Sequence, residues 1–112
     1  MNEEERDEIE GIFYDEAPYD FVLHFSNRKP GVVRGLCSYD TKICTLFRAD
    51  TYLDALFVVL HELAHARIQH RTHSETWEAE FVRLLDKYEY PRNLVTRQAE
   101  AMGPNLRRYA GV

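Results

Sequence analysis

A chain of 112 residues with 45% hydrophobic and 12% aromatic side chains can bury one modest core, so we expect one domain over residues 1–112. The formal net charge of −5 gives no overall attraction to nucleic acid or to an anionic membrane. No apolar run approaches the roughly 18 residues of a membrane-spanning helix, and the N-terminus is acidic where a signal peptide would be basic. The sequence therefore predicts a cytoplasmic protein without a membrane partner.

The first elements predicted along the chain are a helix and a strand. Residues 2–14 form a short helix, on which Ile9, Ile12 and Phe13 make one narrow apolar stripe. Residues 21–25 place large apolar side chains at every second position, which is a strand pattern. We expect the helix to dock on the core through its stripe.

A hairpin is predicted next. Two β-rich runs, residues 32–39 and 42–47, flank a turn centred on residues 40–41. This register places Cys37 directly opposite Cys44, on the same face of the sheet. Two cysteines cannot make a disulfide framework, so two thiols on the buried face are favoured over a redox or metal-binding pair.

The most informative stretch is the HExxH motif of His61, Glu62 and His65, which lies in an apolar helical run beginning at Asp50 or Thr51. One helical turn separates the two histidines, so their Cβ atoms lie roughly 6 Å apart on one face. That spacing suits two ligands of one Zn²⁺ ion, which in catalytic sites takes three protein ligands and one water. Glu62 can accept the proton of that water. The alternative is a pair of core histidines satisfied by hydrogen bonds alone.

A third ligand has to come from outside the motif. The sequence offers six further side chains: His70, His73, Glu78, Glu80, Cys37 and Cys44. On a continuous helix His70 would point about 180° away from the metal. Residues 72–75 have the form of a capping box with Thr72 as the N-cap, which predicts a chain reversal and a new helix beginning at His73. We therefore favour His73, followed by His70, and then by a carboxylate from the second helix.

The C-terminal part is predicted to be helical. An apolar face recurs at helical spacing after the capping box: Trp77, Phe81, Leu84, Leu85 and Tyr88. Pro91 ends this helix, and a short helix from Asn93 to Met102 stops at Gly103, which leaves a loose basic tail. The elements together predict an α+β fold, in which a small antiparallel sheet of about three strands packs on the HExxH helix between flanking helices.

These motifs resemble one family, the SprT-like zinc metallopeptidases, which are small zincins with HExxH on the active helix. In that family a histidine opens the next helix in the form H-G/S-x-x-F/W, and residues 73–77 (His-Ser-Glu-Thr-Trp) match it. A strand beginning with glycine and a returning strand precede the active helix in the family, as residues 35–37 and 43–46 do here. The resemblance covers about residues 20 to 90.

The resemblance implies a zincin-like fold with Zn²⁺ on His61, His65 and His73, Glu62 as the catalytic residue, and a polypeptide substrate. The better-known members carry a Cys-rich zinc ribbon or DNA-binding regions after the protease domain, whereas this chain has no cysteine after Cys44. Nucleic acid is thus a partner that the family allows and that the net charge does not support.

Three functions remain open on the sequence alone: a zinc metallopeptidase of the endopeptidase type, a non-catalytic zinc-binding domain for structure or interaction, and another HExxH hydrolase such as a peptide deformylase. Glu62 favours an enzyme, because a structural zinc would take a fourth protein ligand and only His70 is available for that position. Deformylases use a cysteine as the third ligand, but Cys37 lies too close upstream and their Gly-rich motif is missing.

Overall fold

The computed structural model describes residues 1–31, 33–98 and 103–111, without the side chains of 96–98. Its elements follow one another in this order: α1 (Glu3–Glu16), β1 (Val22–Phe25), β2 (Gly35–Ser38), β3 (Ile43–Leu46), α2 (Tyr52–Ile68), α3 (Glu75–Lys87), α4 (Arg92–Gln98) and α5 (Pro104–Ala110). They form a compact α+β fold, as the sequence predicts. None of the described helices is both long and apolar enough to cross a membrane.

Helix α1 begins with a capping box in which Asn2 and Glu5 bond each other's backbone amide. The predicted stripe of Ile9, Ile12 and Phe13 is buried, which confirms how this helix docks on the core. It runs two residues beyond the predicted end and stops because Pro18 holds the residue before it in an extended conformation.

The sheet is mixed, so the prediction of an antiparallel sheet was wrong in part. Its strand order is β1-β3-β2, with β1 parallel to β3 and β2 antiparallel to β3. After β1 the chain crosses to the far edge of the sheet, where β2 begins at Gly35, and β3 then returns between the two strands in the direction of β1. Strand β2 therefore lies at an edge, with a neighbour on one side.

The hairpin register is confirmed, because Cys37 pairs with Cys44. The strands are shorter than predicted, and the proposed first residue, Val32, lies outside the described residues. Residues 39–42 form a four-residue turn that ends with Lys42 at a φ of 57°. Strand β2 therefore ends one residue before its predicted end, and β3 begins one residue after its predicted start. Cys44 is buried and Cys37 is half-buried, with their sulfur atoms 3.2 Å apart.

Helix α2 lies at the centre of the fold and is buried on almost every side from Ala55 to Ala66. The side chain of Thr51 caps its N-terminus by accepting from the Asp54 amide at 3.2 Å. It ends at Ile68, because Gln69 takes the left-handed conformation with a φ of 59°. A glycine usually occupies such a position, which is why the end of this helix lacks an obvious sequence signal.

Helix α3 begins two residues later than predicted. Ser74, not Thr72, is the N-cap, and its hydroxyl accepts from the Trp77 amide at 3.2 Å. The chain still reverses before α3, which packs its apolar face against α2. Four of the five residues predicted for that face are buried, and Tyr88 is half-buried.

The C-terminal tail is not loose, which corrects the prediction. Helix α4 ends at Gln98 among the described residues, and the remainder of the predicted 93–102 helix lies outside them. Residues 104–110 form α5, with Leu106 and Tyr109 buried. The carboxylate of Glu78, from α3, accepts from the Asn105 amide at 2.7 Å and so caps α5 in place of a local side chain.

Candidate metal centre

Helix α2 presents His61 and His65 on one face, as the spacing of the motif predicts. Their ring centroids lie 4.9 Å apart. The side chain of His61 is a quarter exposed, whereas His65 is buried. One face of the central helix therefore brings two imidazoles to the edge of the core.

The loop between α2 and α3 adds His73 to this pair. Its ring centroid lies 4.9 Å from that of His61 and 5.1 Å from that of His65. One nitrogen from each of the three rings lies within 4.8 Å of the others, so the three residues could hold a metal ion. His70 does not join them through its ring, whose Nδ1 lies 2.8 Å from the Ser74 hydroxyl.

The spacing of the nitrogen atoms is suitable for zinc. Two nitrogens bound tetrahedrally to one zinc at 2.0–2.1 Å lie about 3.3 Å apart. The Nε2 atoms of His61 and His73 are 3.2 Å apart. These two rings already have the separation that a shared zinc ion requires.

The tautomers of the two helix histidines are set by their other ring nitrogen. Nδ1 of His65 lies 2.7 Å from the carbonyl oxygen of His70, and Nδ1 of His61 lies 3.0 Å from Oε2 of Glu62. A carbonyl and an ionised carboxylate can only accept, so both neutral rings carry their proton on Nδ1. Each Nε2 then carries the lone pair that a metal ion would bind, and that of His61 faces Nε2 of His73.

Burial also favours the neutral form of His65 and His73. Desolvation lowers the pKa of His65, although its bond to the His70 carbonyl opposes the shift. Desolvation, followed by the nearby His61, lowers the pKa of His73. Neutral imidazole is the form that binds metals, so less competition from protons is expected near neutral pH.

Glu62 lies between His61 and the hairpin and is largely buried. A Cβ atom at Gly35 would lie 3.1 Å from Glu62 Oε2 and 2.6 Å from a methyl group of Val58. Only glycine therefore fits at the start of β2 without displacing a neighbour. The Glu62 side chain therefore packs against the backbone of the hairpin at the position where Gly35 has no side chain.

A cavity of about 470 Å³ opens between α2 and the hairpin. The three motif residues His61, Glu62 and His65 line one side, and β2, Tyr39 and Asp40 line the other. Arg71 also contributes to its wall. The candidate metal centre therefore faces a space large enough for part of a substrate.

Trp77 forms the back of the histidine cluster. It is buried, as predicted for a core residue, and its ring stacks on His73 at a centroid distance of 4.3 Å and on His65 at 4.9 Å. Its Nε1 is buried without a hydrogen-bond partner among the described residues. The spacing of four residues between His73 and Trp77 is a signal for this contact that can be read from the sequence.

Sequence reasoning missed two contributors to the site, Tyr39 and the backbone of His70. The Tyr39 hydroxyl donates to the His70 carbonyl oxygen at 2.8 Å. Desolvation by burial raises the pKa of Tyr39, so the hydroxyl keeps its proton at neutral pH. These residues are 31 positions apart, and no local pattern in the sequence indicates the contact.

The other proposed ligands have different partners. Glu78 caps α5, and Glu80 accepts from Arg67 and Arg83, each at 2.7 Å. The two cysteines contact each other, and the hydrogen bond with Cys37, together with burial, raises the pKa of Cys44. Among the described residues, the group that could hold a metal consists of the three histidines.

No protein-family model, curated protein or solved structure matches the chain. The function of the chain therefore has to be inferred from the geometry of the site itself. The strongest part of that geometry is the convergence of three imidazoles, two of which line an open cavity together with a buried carboxylate.

Proposed function

We propose that the protein is a zinc-dependent metallopeptidase, in which His61, His65 and His73 hold Zn²⁺ and Glu62 is the general base. The observation that carries the proposal is the convergence of the three imidazoles next to Glu62, with His61, Glu62 and His65 lining the cavity. A SprT-like, cytoplasmic enzyme is the corresponding prediction for family and location.

The chemistry assigned to the site is hydrolysis of a peptide bond. Zinc, when bound, supplies Lewis-acid activation of water and of the substrate carbonyl. Glu62 accepts the proton of the attacking water and can return it to the amine that leaves. Its contact with His61 Nδ1 has a second role, since it keeps that ring in the metal-binding tautomer.

The substrate class proposed is an extended polypeptide. Strand β2 lies at the edge of the sheet and lines the cavity beside His61 and Glu62. An edge strand binds a peptide by adding it to the sheet through backbone hydrogen bonds, which gives low sequence selectivity. Leu36, which is half exposed on β2, then contacts a side chain of the substrate.

A non-catalytic zinc domain is the second candidate. The observation that favours it is the contact between Glu62 Oε2 and His61 Nδ1. A carboxylate that only orients a metal-binding histidine makes the same contact. A deformylase-like hydrolase is not favoured, because His73 rather than a cysteine accompanies His61 and His65.

Zinc stoichiometry and peptidase rates on an unfolded polypeptide substrate test the proposal. The substitutions His61→Ala, His65→Ala and His73→Ala each remove one inner ligand and should strongly weaken zinc binding. His70→Ala is the comparison within the same loop: it keeps the backbone carbonyl that bonds His65 and loses only the ring contact with Ser74, so it should weaken zinc binding far less than the loss of a ligand does. Zinc retention in His73→Ala would contradict the ligand assignment. Zinc binding without peptidase activity in the unmodified protein would support the non-catalytic alternative.

A further inference from the structure

One carbonyl oxygen connects two walls of the cavity. The carbonyl of His70 accepts from His65 Nδ1 at 2.7 Å and from the Tyr39 hydroxyl at 2.8 Å. His65 belongs to α2, whereas Tyr39 opens the turn between β2 and β3. The oxygen that orients a candidate ligand is therefore also bonded from the hairpin.

The same carbonyl belongs to the loop that carries His73. The ring of His70 lies 2.8 Å from the Ser74 hydroxyl, and this hydroxyl also caps α3 through the Trp77 amide. His73 lies between these two fixed points. Holding His70 in place therefore fixes both the orientation of His65 and the path of the chain that delivers His73.

The ring of Tyr39 has a contact that does not involve its hydroxyl. Its ring lies 5.9 Å from the guanidinium carbon of Arg71, a cation–π contact at the wall of the cavity. Phenylalanine at this position would keep the ring and this contact and would lose only the hydroxyl. The hydrogen bond to His70 can thus be removed without emptying the space that Tyr39 fills.

We propose that Tyr39 is a positioning residue of the metal centre, whose hydroxyl holds the His70 carbonyl where that carbonyl fixes the ring of His65 and the loop of His73. The proposal rests on the proposed zinc site. Second-layer partners of a metal-binding histidine determine its tautomer and orientation, and losing them weakens metal binding without removing a ligand. Tyr39 acts through His70, and it is not itself a ligand.

The test compares Tyr39→Phe with Tyr109→Phe, a matched control. The hydroxyl of Tyr109 also donates to backbone carbonyls, those of Tyr90 and Leu85, but it lies in the core near α5. Competition with a chelator of known affinity measures zinc binding in both variants. We expect Tyr39→Phe to weaken zinc affinity by about two- to tenfold, the equivalent of one hydrogen bond, and Tyr109→Phe to leave it unchanged. Equal effects in the two variants, or none in Tyr39→Phe, would overturn the proposal.

A second measurement uses the metal-free protein and a signal specific to His65. The Nδ1 proton of this ring is protected by the His70 carbonyl, so its exchange with solvent can be followed by NMR. Tyr39→Phe should speed this exchange by about two- to tenfold, whereas Tyr109→Phe should not. An unchanged rate in Tyr39→Phe overturns the positioning role even when zinc binds normally. If the unmodified protein does not bind zinc, the proposed function is wrong. The exchange rate of the His65 proton is measured without metal, so it tests the role of Tyr39 separately from that outcome.

Discussion

Glu62 and Glu16 are buried to nearly the same extent, at 7% and 5% exposure, yet their surroundings are opposite. Glu16, at the end of α1, accepts hydrogen bonds from Lys87, Tyr88 and Arg83. Glu62 has one side-chain partner among the described residues, His61, and lines an open cavity. One carboxylate is surrounded by donors, and the other faces a space that a substrate can enter.

The difference in hydrogen-bond donors indicates whether each carboxylate stabilises the fold or faces the candidate site. Burial alone would raise the pKa of Glu16, but hydrogen bonds from Lys87 and Tyr88 and the charge of Lys87 outweigh it and lower the pKa to about 2. A carboxylate with so low a pKa is a poor base and a good structural anchor. It ties the end of α1 to α3, whereas Glu62 faces the cavity, as the proposed general base would.

The same substitution at the two positions gives the largest expected contrast. Glu62→Gln should retain zinc and lower the hydrolysis rate by a factor of about 10² or more, because an amide cannot accept the proton. Glu16→Gln should leave activity per folded molecule unchanged and lower the free energy of unfolding by about 1–2 kcal/mol, since solvent screens the half-exposed Lys87 and Arg83. Rates per zinc-loaded protein and urea denaturation measure the two effects. Unchanged turnover in Glu62→Gln would contradict the catalytic role.

A substitution at Gly35, which contacts Glu62, should lower turnover by less than the substitution of Glu62 itself. Gly35→Ala places a methyl group against Val58 and Glu62, which should shift the carboxylate and lower turnover by about 10- to 100-fold while all three ligands remain. Gly11→Ala is the control, because a Cβ atom there meets nothing within 4 Å and should stabilise α1 by about 0.5–1 kcal/mol. Normal turnover together with normal zinc content in Gly35→Ala would show that the position of Glu62 is not critical.

The smallest effect is the part of the pH dependence of stability that comes from Glu16. Its folded pKa of about 2 lies below the ordinary value of 4.5, so the folded state binds the proton less tightly than the unfolded state. The stabilisation is therefore fully present above pH 4.5 and is lost as the pH falls towards 2. The difference in unfolding free energy between the unmodified protein and Glu16→Gln should shrink across this window. A difference that stays constant between these pH values would show that the ion pairs do not set the pKa.

The sequence could predict what depends on local spacing. His61 and His65 are four residues apart on a buried helix, and the Cys37–Cys44 register depends on a short turn, so both features could be worked out without the structure. The placement of His73 depends only on a break in the helix, and an error of two residues in the position of the cap did not affect it.

Features that depend on distant residues could not be predicted. The parallel pairing of β1 with β3 joins segments about twenty residues apart without a connecting turn, so nothing local indicates it. Helix α5 is capped by Glu78 of α3, which is why the tail looked loose from its own residues. The hydrogen bond between Tyr39 and the His70 carbonyl joins residues 31 positions apart and could not be predicted for the same reason.

Trp77 makes the fluorescence of the protein sensitive to the candidate site. The chain contains one tryptophan, and its ring stacks on His73 and His65. The ring of His61 also lies edge-on to it at a centroid distance of 4.9 Å, so the fluorescence of the whole protein originates mainly from an indole in contact with all three candidate ligands. A change in protonation or occupancy of those imidazoles alters the emission of that single ring, so the protein carries its own optical probe of the candidate metal centre.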